Sequence, residues 1–142
     1  MIKISPYLNF NGECENAMNF YQSVLGGEMT VMQKFNQVPA EAKMEMSDED
    51  GNKIMHALLT IDTNSLIMAS DRRPKMEDVM FGSNNQISLN IDDREKAQKI
   101  FQGLSEGGQV TMPFSEAFWN ASFGMLIDKY GNYWMINCDH KS

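Results

Sequence analysis

The chain has 142 residues, 42% of them apolar, and a net charge of −7, which suits one ordinary domain or two half-domains sharing a core. No run nears the ~20 apolar residues that cross a bilayer, and the 12 Lys and Arg are scattered instead of forming a phosphate-tracking stripe, so neither a membrane nor a nucleic acid is an expected partner. The amino terminus, MIKISPYLNF, lacks a secretory h-region, and a cytoplasmic protein is expected.

Lys3–Phe10 alternates, with Ile4, Leu8 and Phe10 on one face and Ser5, Tyr7 and Asn9 on the other. It reads as a strand with an edge or irregular start at Pro6. Asn11-Gly12 turns the chain into a helix whose apolar stripe is Cys14, Ala17, Met18, Tyr21, Val24 and Leu25. Gly26-Gly27 ends it, and Glu28–Phe35 is the next strand. Residues 36–52, with Pro39 and the acidic Ser47–Gly51, read as a long connection or a short surface helix. Lys53–Asp62 and Ser65–Ser70 form a hairpin.

Residues 72–85 hold Arg72-Arg73-Pro74 and no sustained apolar period, as a linker or a lid would. Gln86 opens a second alternating strand, with Ile87, Leu89 and Ile91 on one face and Gln86, Ser88 and Asn90 on the other. Asp92 or Asp93 caps a helix with the stripe Ala97, Ile100, Phe101 and Leu104. Gly107-Gly108 ends it, Gln109–Met112 is a strand, and Pro113–Asn120 a loop. The hairpin Phe123–Cys138, turning at Gly131-Asn132, closes the chain.

The order β-α-β-β-β therefore occurs twice. Leu8-Asn9 maps to Leu89-Asn90 and Gly26-Gly27 to Gly107-Gly108 at a shift of 81, the helices match at 80, and the hairpins match at 68, which pairs Leu58 with Leu126 and Asp71 with Asp139. Module one covers about 1–71, the linker about 72–85, and module two about 86–142, within one α+β domain.

Five groups of residues carry a family resemblance: Tyr7-Leu-Asn-Phe-Asn-Gly12; Ala17-x-x-Phe20-Tyr21-x-x-Val24-Leu25-Gly26-Gly27; His56-Ala57 with Met68-Ala-Ser-Asp71; Val110-Thr-Met-Pro113 with Phe118-Trp119 and Phe123-Gly124-Met125; and Asp128-x-x-Gly131-x-x-Trp134-Met135-Ile136-Asn137. Across nearly its whole length the chain resembles the PhnB-like, or 3-demethylubiquinone 3-methyltransferase-like, branch of the vicinal oxygen chelate superfamily. That superfamily includes glyoxalase I, bleomycin-resistance proteins and extradiol dioxygenases. The resemblance implies paired βαβββ modules whose curved sheets form a cup, helices on the outside, and a homodimer.

It also implies a divalent metal held from the first and last strands of each module. Those positions are Ser5 or Pro6 and Ile67 or Met68 in module one, and Gln86 and Met135 in module two. A hydroxyl, an amide and a thioether suit neither hard cations nor zinc or iron. No metal ligand and no cofactor are therefore expected, although a divalent metal on unexpected ligands stays open.

The strand faces opposite the helices supply the candidate ligand-binding residues. In module one these are Ser5, Tyr7, Asn9 and His56. In module two they are Gln86, Ser88, Asn90, Met135 and Asn137, with Trp119 and Phe123 at the mouth. A few neutral polar groups among aromatic and thioether walls is the usual composition of a small-molecule site. Thirteen methionines add adaptable apolar surface.

His56 and Asp71 are the candidate acid–base pair if the chain is an enzyme. His140, near the end, is expected in solvent. Cys14 and Cys138 make no metal motif and are expected to be reduced structural thiols, with a reactive Cys138 beside Asp139 and His140 as the alternative. Three functions follow: a metal-free binder of a small organic molecule, an enzyme of the same superfamily, or an interaction module with no ligand.

Overall fold

The structure, a computed structural model, describes residues 1–42 and 45–140. Two compact units, Met1–Met80 and Phe81–Ser142, make up the chain. The first runs β1 (Tyr7–Phe10), α1 (Cys14–Leu25), β2 (Glu28–Lys34), two 3-10 turns (Phe35–Gln37 and Ala40–Ala42), α2 (Asp48–Gly51), β3 (Ile54–Thr60) and β4 (Leu66–Asp71). The second runs β5 (Ile87–Asn90), α3 (Arg94–Ser105), β6 (Gln109–Ala117), β7 (Ala121–Ile127) and β8 (Tyr133–Asp139). Each unit holds one four-stranded sheet, ordered β1-β4-β3-β2 or β5-β8-β7-β6. In both, the first and last strands pair in parallel and the other pairs are antiparallel.

The helical stripes become the cores. Cys14, Ala17, Met18 and Tyr21 are buried on α1, and Ala97, Ile100, Phe101 and Leu104 on α3. These faces pack on β3 and β4, and on β7 and β8. The helices start differently. Asp93 accepts from the Lys96 N–H, as a capping residue does. The first turn of α1 has no local side-chain cap; Asp71 reaches it from β4 and accepts from the N–H groups of Gly12 at 2.8 Å and Cys14 at 3.1 Å.

The second glycine of each pair is required for a shared reason. A Cβ on Gly27 would run into the backbone of Thr60 and Ile61, and one on Gly108 into that of Ile127 and Asp128. In each module the chain leaving the helix passes against the end of a hairpin strand, where only glycine fits.

Several elements differ from expectation. β1 begins at Tyr7, not Lys3, because Pro6 has no N–H to give the parallel ladder. It contributes only its carbonyl, which accepts from Met68 N at 3.1 Å. Ile4, expected on the buried face, is consequently 91% exposed. β6 continues through the expected loop as far as Ala117. It is an outer strand, where a proline costs little pairing, and two register shifts accommodate it. The stretch read as a connection or short helix contains most of the first 3-10 turn, all of the second, and α2; its Lys43 and Met44 lie outside the described residues, as do Lys141 and Ser142.

The hairpin shift of 68 is corrected to 67. Tyr7 pairs with Met68 and Asn9 with Ser70, while Ser88 pairs with Met135 and Asn90 with Asn137. Met68 therefore corresponds to Met135, Leu59 to Leu126 and Asp71 to Cys138. A shift of 68 would equate half-buried Leu58 with buried Leu126, which point to opposite faces. A one-residue slip inverts every side chain of a strand.

Candidate functional site

The helix covers one face of each sheet, and the strands' alternation puts the other set of side chains on an open face. On β4, Ile67, Ala69 and Asp71 are buried while Leu66, Met68 and Ser70 are half-buried. On β8, Trp134, Ile136 and Cys138 are buried while Tyr133, Met135 and Asn137 are half-buried.

Module one brings Tyr7, Asn9, His56 and Ser70 to its open face. The Tyr7 hydroxyl lies 3.3 Å from His56 Nδ1, with the rings stacked at 5.9 Å. Ser70 Oγ donates to Asn9 Oδ1 at 3.2 Å. Ser5 precedes the paired part of β1 and joins none of these bonds. Between β1, β4 and the chain after β4 is a cleft of about 560 Å³, whose lining includes Tyr7, Asn9, Met55, Ser70, Arg73 and Met76. Ser70, Arg73 and the two methionines were not among the sequence candidates. The only signal for Arg73 is the Arg72-Arg73-Pro74 tripeptide, and the absence of an apolar period makes that stretch read as a linker.

Module two centres on Asn137. The Trp119 indole N–H donates to its Oδ1 at 3.1 Å, and its Nδ2 donates to Asn90 Oδ1 at 3.3 Å and Asp139 Oδ1 at 3.0 Å. The Trp119 ring meets Phe123 edge-on at 5.2 Å and Phe118 at 4.9 Å. Met135 lies between Ser88 on β5 and Met125 on β7. The structure thus gathers Asn90, Trp119, Phe123 and Asn137 into one polar-aromatic patch, with Ser88 and Met135 one step along the same face. Gln86 is exposed just ahead of β5.

Asp71 is on the helix-covered parity and 1% exposed. One oxygen accepts from Gly12 and Cys14 and the other from Ile54 N at 2.9 Å. Both oxygens thereby hold together the β1–α1 turn and β3. His140, expected in solvent, is half-buried: its Nε2 lies 3.0 Å from Ser122 Oγ, and its N–H donates to Asn120 O. Both thiols are buried. Burial, then the Asp71 and Glu15 carboxylates, push that of Cys14 far above its ordinary range.

The superfamily metal positions carry Met68, Met135, Gln86 and Ser5 or Pro6. Ile67 is excluded from this set by its burial on the helix side. This donor set does not fit a divalent metal. Among the described residues no group of three or more His, Cys, Asp or Glu gathers elsewhere to replace it. Nor, among them, is any helix long and apolar enough to cross a membrane.

The family model described as 3-demethylubiquinone-9 3-methyltransferase matches residues 2–137. Protein YjdN of Escherichia coli (strain K12) is 33% identical over 145 residues, covering 94% of this chain and 93% of that protein. The crystal structure of protein PA1353 from Pseudomonas aeruginosa is 40% identical, covers 99% of this chain and 100% of its own, and superposes with a TM-score of 0.87. A putative 3-demethylubiquinone-9 3-methyltransferase, PhnB protein, from Bacillus cereus shares the fold at 24% identity, 96% and 99% coverage and a TM-score of 0.76. So does a glyoxalase/bleomycin resistance protein from Albidiferax ferrireducens T118, at 12% identity, 96% and 98% coverage and a TM-score of 0.61.

Proposed function

The chain belongs to the 3-demethylubiquinone-9 3-methyltransferase family, the PhnB-like branch with the glyoxalase fold, and from that footing we propose that it binds a small organic molecule on the open faces of its sheets without a resident metal. The observation that carries this reading is the Asn137 patch. A neutral amide, held from both ends, lies among Trp119, Phe123 and Met135 on the face no helix covers. Few polar groups among aromatic and thioether walls is what a small-molecule site requires. The poor metal donor set is why the reading omits a metal.

The test is a screen of neutral and polar-aromatic molecules by ligand-observed NMR on untagged protein, followed by Asn137→Ala. The expected result is one chemical series that binds the wild type and loses affinity in Asn137→Ala while the melting temperature is maintained. No series at millimolar ligand, or a series indifferent to Asn137→Ala, would count against it.

A second reading has its own observation, the contact between Tyr7 and His56. An imidazole bonded to a phenol is a usable acid–base pair, and deprotonating an acceptor hydroxyl is a step a methyl transfer would need. Loss of a measured turnover in His56→Ala, with binding intact, would favour this enzyme reading; unchanged turnover would remove His56 from it.

A further inference from the structure

We propose that the module-one cleft takes the carboxylate end of an organic monoanion, with Arg73 as its anchor and Met55 and Met76 as the apolar floor. This deepens the ligand-binding reading and rests on it.

The cleft wall is built. Asn11, in the turn between β1 and α1, accepts from Val79 N at 2.7 Å and donates to Val79 O at 3.0 Å, clamping the end of the 72–79 segment. Near its start Pro74 is buried, and Met76 N donates to Arg73 O at 3.1 Å, fixing the backbone that carries the guanidinium. A weakly hydrated planar fork carried on a fixed backbone suits a carboxylate better than a lysine would.

The neighbouring charges are already committed. Asp71 receives three backbone N–H groups. Arg72 donates to Asp78 at 2.8 Å and faces Asp50 at 3.8 Å. Among the described residues no carboxylate pairs with Arg73. Because Ser70 occupies Asn9 Oδ1, the Asn9 amide nitrogen is left as a second donor in the same lining. Donors therefore outnumber acceptors among the uncommitted groups. Glu77, the one uncommitted carboxylate in the lining, opposes a second negative charge, which limits the guest to a monoanion. Met55 and Met76 supply the surface for its apolar body.

The experiment uses the full chain with 13C-methyl methionine, and 3-phenylpropanoate and its neutral amide as probes. The carboxylate is expected to shift the Met55 and Met76 methyl signals, and the amide to bind more weakly by about tenfold, the usual value of a hydrogen bond to a charged group. Arg73→Gln should weaken the carboxylate by a similar factor, with partial recovery in Arg73→Lys. Glu77→Gln should tighten it. Opposite signs from two exposed neighbours cannot come from a general loss of structure. Equal binding of acid and amide, or matching signs in the two variants, overturns the proposal. Shifts confined to Met125 and Met135 overturn it while leaving ligand binding on the open faces intact. No shift of any methyl also overturns it, and the wider screen then judges the ligand-binding reading separately.

Discussion

The Trp119 indole N–H donates to Asn137 Oδ1 at 3.1 Å, tying the β6–β7 turn to the open face of β8. The other tryptophan, Trp134, is fully buried and donates to Asp128 Oδ2 at 2.8 Å on the helix side. The two indoles therefore report on opposite faces of one sheet.

Acrylamide should quench the emission of Trp119, which is 45% exposed, and leave that of Trp134. Trp119→Phe keeps a ring against Phe123 and drops the N–H, so stability should change by less than about 1 kcal/mol while the quenchable component disappears. Residual quenchable emission in Trp119→Phe would show that Trp134 is not shielded.

Asp71→Ala removes one carboxylate from three backbone donors and leaves two of them, on Cys14 and Ile54, buried without a partner. Urea unfolding at constant pH should show a loss of about 3 kcal/mol, with Asp71→Asn in between. A loss under about 1 kcal/mol would mean that water replaces the carboxylate.

Cys14 gives stability a specific pH dependence. Its thiol is held protonated in the folded state, whereas the unfolded chain ionises near the ordinary value of about 8.5. The folded pKa is the higher one, so this contribution is complete below pH 8 and is lost as pH rises, at up to about 1.4 kcal/mol per unit. Between pH 8 and 10 the wild type should lose stability more steeply than Cys14→Ala; parallel curves would rule the effect out.

Asn11→Ala breaks both bonds to Val79. Amide exchange should accelerate across residues 75–80 while the core strands keep their protection. A uniform acceleration would indicate global destabilisation and not a released clamp.

Gly27→Ala and Gly108→Ala should each cost about 2–3 kcal/mol in chemical denaturation, since the added methyl meets hairpin backbone in both modules. Gly27 also has φ +88, which an alanine adopts poorly. An effect at one site only would break the structural equivalence of the two modules.

The sequence alone determined the local elements and the repeat. Helical stripes such as Ala97, Ile100, Phe101 and Leu104, the glycine pairs and the turn at Gly131 are written in spacing and residue type, because period and turn geometry depend on near neighbours. The family signature follows the same positions. Tertiary structure decided what depends on distant partners. The pairing of Tyr7 with Met68 and of Ser88 with Met135 set the true repeat shift and the face of every hairpin side chain. β4's register turned Asp71, a candidate acid–base group by residue type, toward the first turn of α1. Arg73 looked like linker until the bonds of Asn11 to Val79 made its segment a wall. The bonds of Asp71 to Gly12 and of Asn11 to Val79 form only when chain segments some sixty positions apart come together, and the sequence carries no local trace of that encounter.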